Sequence, residues 1–243
     1  MLRAFLILLI LPPYIVLGSL LGYPVARLLR RPALLYALGR FGARLMLLLA
    51  GTRYDVEGLH HLGDARNTVV MPNHTSHLDA AIMALALKID FKAVVKTEIF
   101  RVPFFHYCLR YAGFIEVDRK DKAQSQPAIA AAAEALRSGE CFLIFPEGTR
   151  TRTGDLGEFK KGAFVVAIEA RSRIVPVAIL GGYERLPPGK FMVRPGTVHV
   201  RVLDPVDAGG YSYEGRDLLV NEVRGRIAGA LERDAANAQQ EAG

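Results

Sequence analysis

The stretch Asn73-His74-Thr75-Ser76-His77-Leu78-Asp79 places an imidazole and a carboxylate five positions apart, directly after the apolar run Thr68 to Met71. A neutral imidazole takes a proton from a hydroxyl when a carboxylate fixes its tautomer and stabilises the imidazolium that forms. His74 is therefore the candidate base and Asp79 its orienting partner. The chain has no Gly-x-Ser-x-Gly turn, so the hydroxyl that loses its proton is assigned to a substrate rather than to a protein serine. General base catalysis supplies roughly a hundred-fold to ten-thousand-fold, so binding must also position the reactants. Taken alone, the same residues fit two other readings. His74, His77 and Asp79 could ligate a metal in a hydrolase, although no further His or Cys group has ligand spacing. They could also be a capped helix start.

The elements that must position these groups follow from the periodicity. Short β-type runs alternate with helical ones from Thr52 onward. Strands are expected at Thr52 to Val56, Thr68 to Met71, Phe91 to Val95, Phe114 to Val117, Cys141 to Phe145, Ile174 to Leu180 and Val198 to Leu203. Helices are expected at Leu78 to Leu87, with Thr75 or Ser76 as its cap, around Phe104 to Tyr107, at Ala123 to Arg137, after Lys160-Lys161-Gly162, and at Gly215 to Arg233. This is an α/β pattern: a single domain with a mixed, largely parallel sheet flanked by helices. In such folds functional groups gather beyond the carboxyl ends of strands. Three polar blocks occupy that position in turn: the His74 block, Asp118-Arg119, and Glu147-Gly148-Thr149-Arg150. Lys96 and Lys160 also lie at element ends near the same crevice, where each reads equally as a solvated lysine.

The N-terminal part is different in kind. No charge occurs from Ala4 to Ala26, and Arg3, Arg27, Arg30 and Arg31 bracket the run. About 20 apolar residues can span a bilayer, yet Pro12-Pro13 is expected to break or kink the helix. Ala33 to Ala50 carries Arg40 and Arg44 one turn apart on one face. The favoured reading is a helical hairpin dipped into one leaflet, ahead of a full span, with a cleaved signal peptide last. The organisation expected is residues 1–50 as membrane-anchoring helices, 51–234 as the catalytic domain and 235–243 as a disordered tail.

Composition agrees with a lipid-facing protein that attracts anions. Of the 243 residues, 51% are hydrophobic, and the formal net charge is +7. The arginines are scattered among apolar segments without interleaved aromatics, which argues against nucleic acid as the partner. Cys108 and Cys141 have no paired spacing and read as buried free thiols.

In four blocks, taken in order, the chain resembles the glycerolipid acyltransferases, in particular the 1-acyl-glycerol-3-phosphate acyltransferase family. These are Asn73 to Asp79, Gly113 to Arg119, Phe145 to Arg150, and Val175-Pro176-Val177, with Phe159-Lys160-Lys161-Gly162 after the third. The resemblance implies that His74 is the base on the acceptor hydroxyl, Asp79 its partner, and Arg119, Glu147, Gly148 and Arg150 the acceptor-binding site. Arg119 and Arg150 would hold the phosphate, which suits bidentate guanidinium pairing, with Lys96 and Lys160 as further candidates. A carboxylate beside a phosphate would repel it, so Glu147 is expected to bond the glycerol hydroxyl or to orient an arginine. The implied reaction moves a fatty acyl group from acyl-CoA or acyl carrier protein, as co-substrate and with no cofactor or metal, to the sn-2 hydroxyl of 1-acyl-sn-glycerol-3-phosphate. The product is phosphatidic acid, and no covalent acyl-enzyme forms. Relatives acting on glycerol-3-phosphate, other lysophospholipids or lyso-aminolipids share these blocks and remain alternatives. The implied partners are lysophosphatidic acid, the thioester donor and an anionic membrane surface, at the cytoplasmic face of a bacterial inner membrane.

Overall fold

The computed structural model describes residues 1–118, 122–190 and 192–241. Two apolar helices come first, α1 (Leu2–Leu28) and α2 (Ala33–Ala50). The break expected at Pro12-Pro13 does not occur, because α1 runs on with Pro12, Pro13 and Pro24 inside it. Each proline removes one amide donor and sets its ring against the carbonyl one turn earlier, yet the helix is continuous. The antiparallel neighbour α2 supports the interrupted stretch from the side, where the Tyr14 hydroxyl donates to the Leu38 carbonyl at 2.7 Å. Gly51, in the left-handed conformation at φ 67°, ends α2 and turns the chain into the sheet. Both helices are long and apolar enough to cross a membrane by length and composition. They differ in exposure: on α1, Leu2, Phe5, Leu8, Leu9, Leu17 and Leu21 all face outward.

The remaining chain alternates as expected. It forms β1 (Thr52–Glu57), β2 (Thr68–Pro72), α3 (Asp79–Ala86), β3 (Lys92–Lys96), the one-turn α4 (Thr97–Phe100), α5 (Phe105–Tyr111) and β4 (Ile115–Val117). Then come α6 (Lys122–Arg137), β5 (Cys141–Leu143), α7 (Lys161–Glu169), β6 (Arg173–Leu180), the one-turn α8 (Gly182–Arg185), β7 (Gly196–Val202), β8 (Val206–Asp207) and α9 (Arg216–Glu241). The helix α9 continues past the end expected at Arg233, into the stretch expected as a tail. That stretch is rich in Ala, Gln and Glu, which favour helix.

The strand order is β1-β7-β6-β2-β5-β3-β4, with β8 paired to β6. All pairs are parallel except β6 with β7 and with β8. Strands β2, β5, β3 and β4 thus present their carboxyl ends along one edge, which is where the polar blocks emerge. The central β2 is buried at all five positions. Its side chains alternate between two cores. Val70 joins Ile82, Met83, Val175 and Val177 on the α2/α3 side, while Val69 and Met71 join Phe142, Phe164, Leu219 and Ile227 on the α6/α7/α9 side.

Helix α2 belongs to the first of these cores. Ala43, Leu47 and Ala50 lie in the same cluster as Val70 and Ile82, so a boundary drawn at residue 50 cuts through continuous packing. Leu47 is 5% exposed and its neighbour Leu48 is 74% exposed, which yields a direct test. Leu47→Ala should cost about 2–5 kcal/mol in chemical unfolding of the detergent-solubilised protein, and Leu48→Ala should leave the unfolding midpoint nearly unchanged. Equal effects would show that α2 is not part of the folded core.

Candidate active site

At the carboxyl end of β2, Asn73 prolongs the pairing with β6 after the backbone has begun to turn away. Its side-chain nitrogen donates to the Ile179 carbonyl at 3.0 Å, and its side-chain oxygen accepts from the Ile179 amide at 2.6 Å. The next residue, His74, is thereby launched from a fixed point. Its Nδ1 lies 2.9 Å from Asp79 Oδ2, at the start of α3. Asp79 is fully buried, and the same oxygen also accepts the Thr75 and Ser76 amides at 2.7 and 2.8 Å. With a carboxylate as acceptor, the proton sits on Nδ1 and leaves the Nε2 lone pair to the other side of the ring. That ring stacks on Phe145, with centroids 4.0 Å apart.

The cap expected from Thr75 or Ser76 is met in part, since the Ser76 hydroxyl accepts the amide of Leu78, the residue before α3, at 3.2 Å. The helix-start carboxylate takes the Thr75 and Ser76 amides, while the Ser76 hydroxyl donates to the Leu186 carbonyl at 2.9 Å. The other carboxylate oxygen, Asp79 Oδ1, and Thr75 Oγ1 have no hydrogen-bond partner among the described residues. They face the Cα of Gly182, where a Cβ would stand 3.0 and 3.1 Å from them. Glycine at 182 therefore leaves the carboxylate its room.

The block after β5 is built around Glu147. Phe145 to Gly148 forms a turn with Pro146 second, closed by the Gly148 amide on the Phe145 carbonyl at 3.0 Å, and Gly148 takes φ 71°, a conformation suited to glycine. Glu147 is 3% exposed. Its oxygens accept the His74 amide at 2.7 Å and the Gly157 amide at 3.0 Å. A Cβ on Gly157 would stand 2.6 Å from that carboxylate, so this approach also requires glycine. Burial pushes the Glu147 carboxyl above the usual carboxylate range, and the two amides act in the opposite direction. The Thr151 amide meanwhile donates to the His74 carbonyl at 3.0 Å. His74 is thus held by its ring, its amide and its carbonyl from two different strand ends.

These groups open onto a cavity of about 1130 Å³. His74, Glu147, Gly148, Arg150, Lys96 and Lys160 all line it, and Asp79 stands behind His74. The apolar part of the same cavity reaches between the N-terminal helices, to Tyr14, Gly18, Leu38 and Phe105. Arg119 lies outside the described residues; Val117, two positions earlier, lines the cavity. His77 also lines it, and Arg150 Nη1 contacts His77 Nδ1. Among the described residues no group of three His, Cys, Asp or Glu side chains could hold a metal ion, so the reading of His74, His77 and Asp79 as a metal site finds no ligand set there.

A mostly parallel α/β sheet thus carries a carboxylate-oriented imidazole at its strand ends, facing a cavity with a large apolar lining. The chain belongs to the acyltransferase family, whose model matches residues 53–180. It is 32% identical over 182 residues to a chloroplastic 1-acyl-sn-glycerol-3-phosphate acyltransferase of Arabidopsis thaliana, covering 74% of this chain and 49% of that one. It is 32% identical over 188 residues to the 1-acyl-sn-glycerol-3-phosphate acyltransferase alpha of Mus musculus, covering 74% and 66%. The chain therefore spans about half to two thirds of the length of these curated relatives. The crystal structure of the 1-acyl-sn-glycerophosphate acyltransferase of Thermotoga maritima matches 97% of this chain and 95% of its own, with TM-score 0.81 and 25% identity.

Three residues of the site are not marked by their chemistry in the sequence: Asn73, Gly157 and Gly182. Asn73 at least adjoins the base; the two glycines carry no local signal. Replacing Asn73 by Ala should leave the buried Ile179 amide and carbonyl unpaired, at a cost of about 1–3 kcal/mol for each group, read by chemical unfolding. Glu147→Gln keeps the shape but presents an NH2 group to one of the two amides. It should lower both the melting midpoint and acyl transfer, the latter by roughly tenfold or more for each 1.4 kcal/mol by which His74 is misplaced. Wild-type turnover in Glu147→Gln would remove the carboxylate from any part in holding His74.

Proposed function

We propose that the protein transfers a fatty acyl group from a thioester to the free hydroxyl of a lysophospholipid, by general base catalysis from His74 and without an acyl-enzyme. The observation that carries this reading is the Asp79 carboxylate, buried and fixed by two amides, holding His74 at the mouth of an apolar cavity beside Arg150, Lys96 and Lys160.

In the reaction, His74 Nε2 takes the proton of the acceptor hydroxyl as its oxygen attacks the thioester carbonyl carbon. The tetrahedral intermediate collapses with cleavage of the carbon–sulfur bond. The thiolate leaves and receives the proton back from the imidazolium, so that ester and free thiol are the products. Asp79 Oδ2 stabilises the imidazolium between these steps and fixes the ring. Glu147 positions His74 through its backbone amide. The cavity accepts the acyl chain, with each buried methylene contributing about 0.8 kcal/mol.

The acceptor is 1-acyl-sn-glycerol-3-phosphate, with the sn-2 hydroxyl as the reacting group and phosphatidic acid as the product. The names of the similar proteins and the cationic rim both support this acceptor. Arg150 pairs with the phosphate, assisted by Lys96 and Lys160 and, on the family resemblance, by Arg119. The donor is acyl-CoA or acyl carrier protein, both anionic and both suited to a chain of net charge +7. The exposed apolar flank of α1 anchors the protein to the membrane that holds acceptor and product. The site then faces the cytoplasm, from which the donor arrives.

His74→Ala should lower acyl transfer by about a hundred-fold or more while the protein still folds and binds lipid. Radiolabelled acyl thioester should leave no label on the denatured protein, and retained label would overturn direct transfer. A panel of lyso-acceptors, with and without phosphate, should show the highest kcat/KM for 1-acyl-sn-glycerol-3-phosphate; a preferred acceptor lacking phosphate would overturn the assignment of the cations.

A further inference from the structure

His77 has no part in the base–carboxylate pair, yet it stands in the same cavity wall, and its contacts are specific. Its ring nitrogen Nδ1 meets Arg150 Nη1. Its own amide is tied to the Leu186 carbonyl at 3.3 Å, the acceptor that also takes the Ser76 hydroxyl. The root of the His77 side chain is therefore fixed to the end of α8. On the opposite side, Arg150 leaves a backbone fixed by the Gly148 turn and by the Thr151 amide on the His74 carbonyl at 3.0 Å. What is left free is the long arginine side chain itself, and the imidazole meets its far end.

We propose that His77 is a positioning residue for Arg150: its neutral imidazole accepts one guanidinium N–H and aims the remaining donors at the acceptor phosphate. This rests on the reading of Arg150 as a phosphate ligand. A guanidinium has five donors in a rigid fork, so one can be given to an orienting partner while the others remain for a bidentate anion contact. The chemical type of that partner matters. A carboxylate in the same place would orient the arginine equally well, but it would cancel its charge and repel the incoming phosphate. An uncharged imidazole orients without neutralising.

The arrangement requires His77 to be neutral, because protonation would put a second N–H against a cation. The charged and titratable groups that act on it are Arg150 from the β5 loop, His74 from its own loop and Asp79 from the start of α3. Burial, Arg150 and His74 hold its pKa below the usual imidazole value, against a smaller opposing effect of Asp79. The orienting contact is present above that depressed pKa and is lost as the pH falls through it.

The test uses the full chain in lipid–detergent micelles, with 1-acyl-sn-glycerol-3-phosphate as the varied substrate. His77→Ala should raise the acceptor KM by about tenfold, the effect of one lost charge-assisted hydrogen bond, and leave kcat within about twofold. His77→Gln, whose amide oxygen can accept the same N–H, should recover most of the loss. The double variant with Arg150→Ala should be no worse than Arg150→Ala alone. On the acid side the acceptor KM of the wild type should rise above that of His77→Gln; titration of the acceptor phosphate is common to both and cancels in the ratio. If Arg150→Ala leaves KM unchanged, the phosphate reading itself fails. If Arg150→Ala raises KM but His77→Ala does not, or the two effects add, the positioning role is overturned and the phosphate reading stands. A loss confined to kcat, or no rescue by Gln, likewise overturns it. If His77→Ala does not fold, the comparison of His77→Gln with wild type across pH decides alone.

Discussion

Placing one fully buried carboxylate at the end of the central strand is the constraint around which the site is built. An isolated buried charge is costly, and it persists only where donors surround it. Asp79 meets that requirement at a single oxygen, which takes the His74 ring and two amides. To deliver the Thr75 and Ser76 amides to the first residue of α3, the chain must fold back over the helix start. That fold-back points the His74 ring outward into the cavity. The helix contributes the positive end of its dipole in the same place. Charge satisfaction and the aim of the base are thus one geometric solution.

The site also separates its charges by depth. Asp79 is buried behind His74 and Glu147 is buried in the cavity wall, while Arg150, Lys96 and Lys160 line the same cavity more openly. Glu147 spends its two oxygens on the backbone of His74 and of Gly157.

The two apolar helices and the sheet are joined through α2. One of its faces completes the core beneath the sheet, and the other packs on α1, whose outer side is exposed and apolar. The cavity runs between these helices to the strand ends. The cavity thus connects the two apolar helices with His74 within one protein interior. The three prolines of α1 do not interrupt this wall, since neighbouring packing holds the helix together.

Much of this was legible in the chain itself. Alternating β-type and helical runs, with polar blocks after successive strands, determine a largely parallel α/β sheet, because only parallel strands bring their carboxyl ends to one edge. The five-residue spacing of His74 and Asp79 makes their pairing legible, since it carries the chain from the end of β2 to the first residue of α3. The length and apolarity of the first 50 residues determine two helices that a purely polar environment would not favour. Tertiary structure alone decided the rest. Asn73 acts on Ile179, Glu147 on the His74 and Gly157 amides, and Gly182 on the room beside Asp79. Glu147 and Gly157 are ten positions apart and the other pairs are far more distant, and at both glycines the lack of a side chain is what permits the approach. Single-residue chemistry cannot mark a residue whose function is to receive a hydrogen bond from a backbone about 73 positions away, or to leave space. Those choices exist only once β2, β5 and β6 lie side by side.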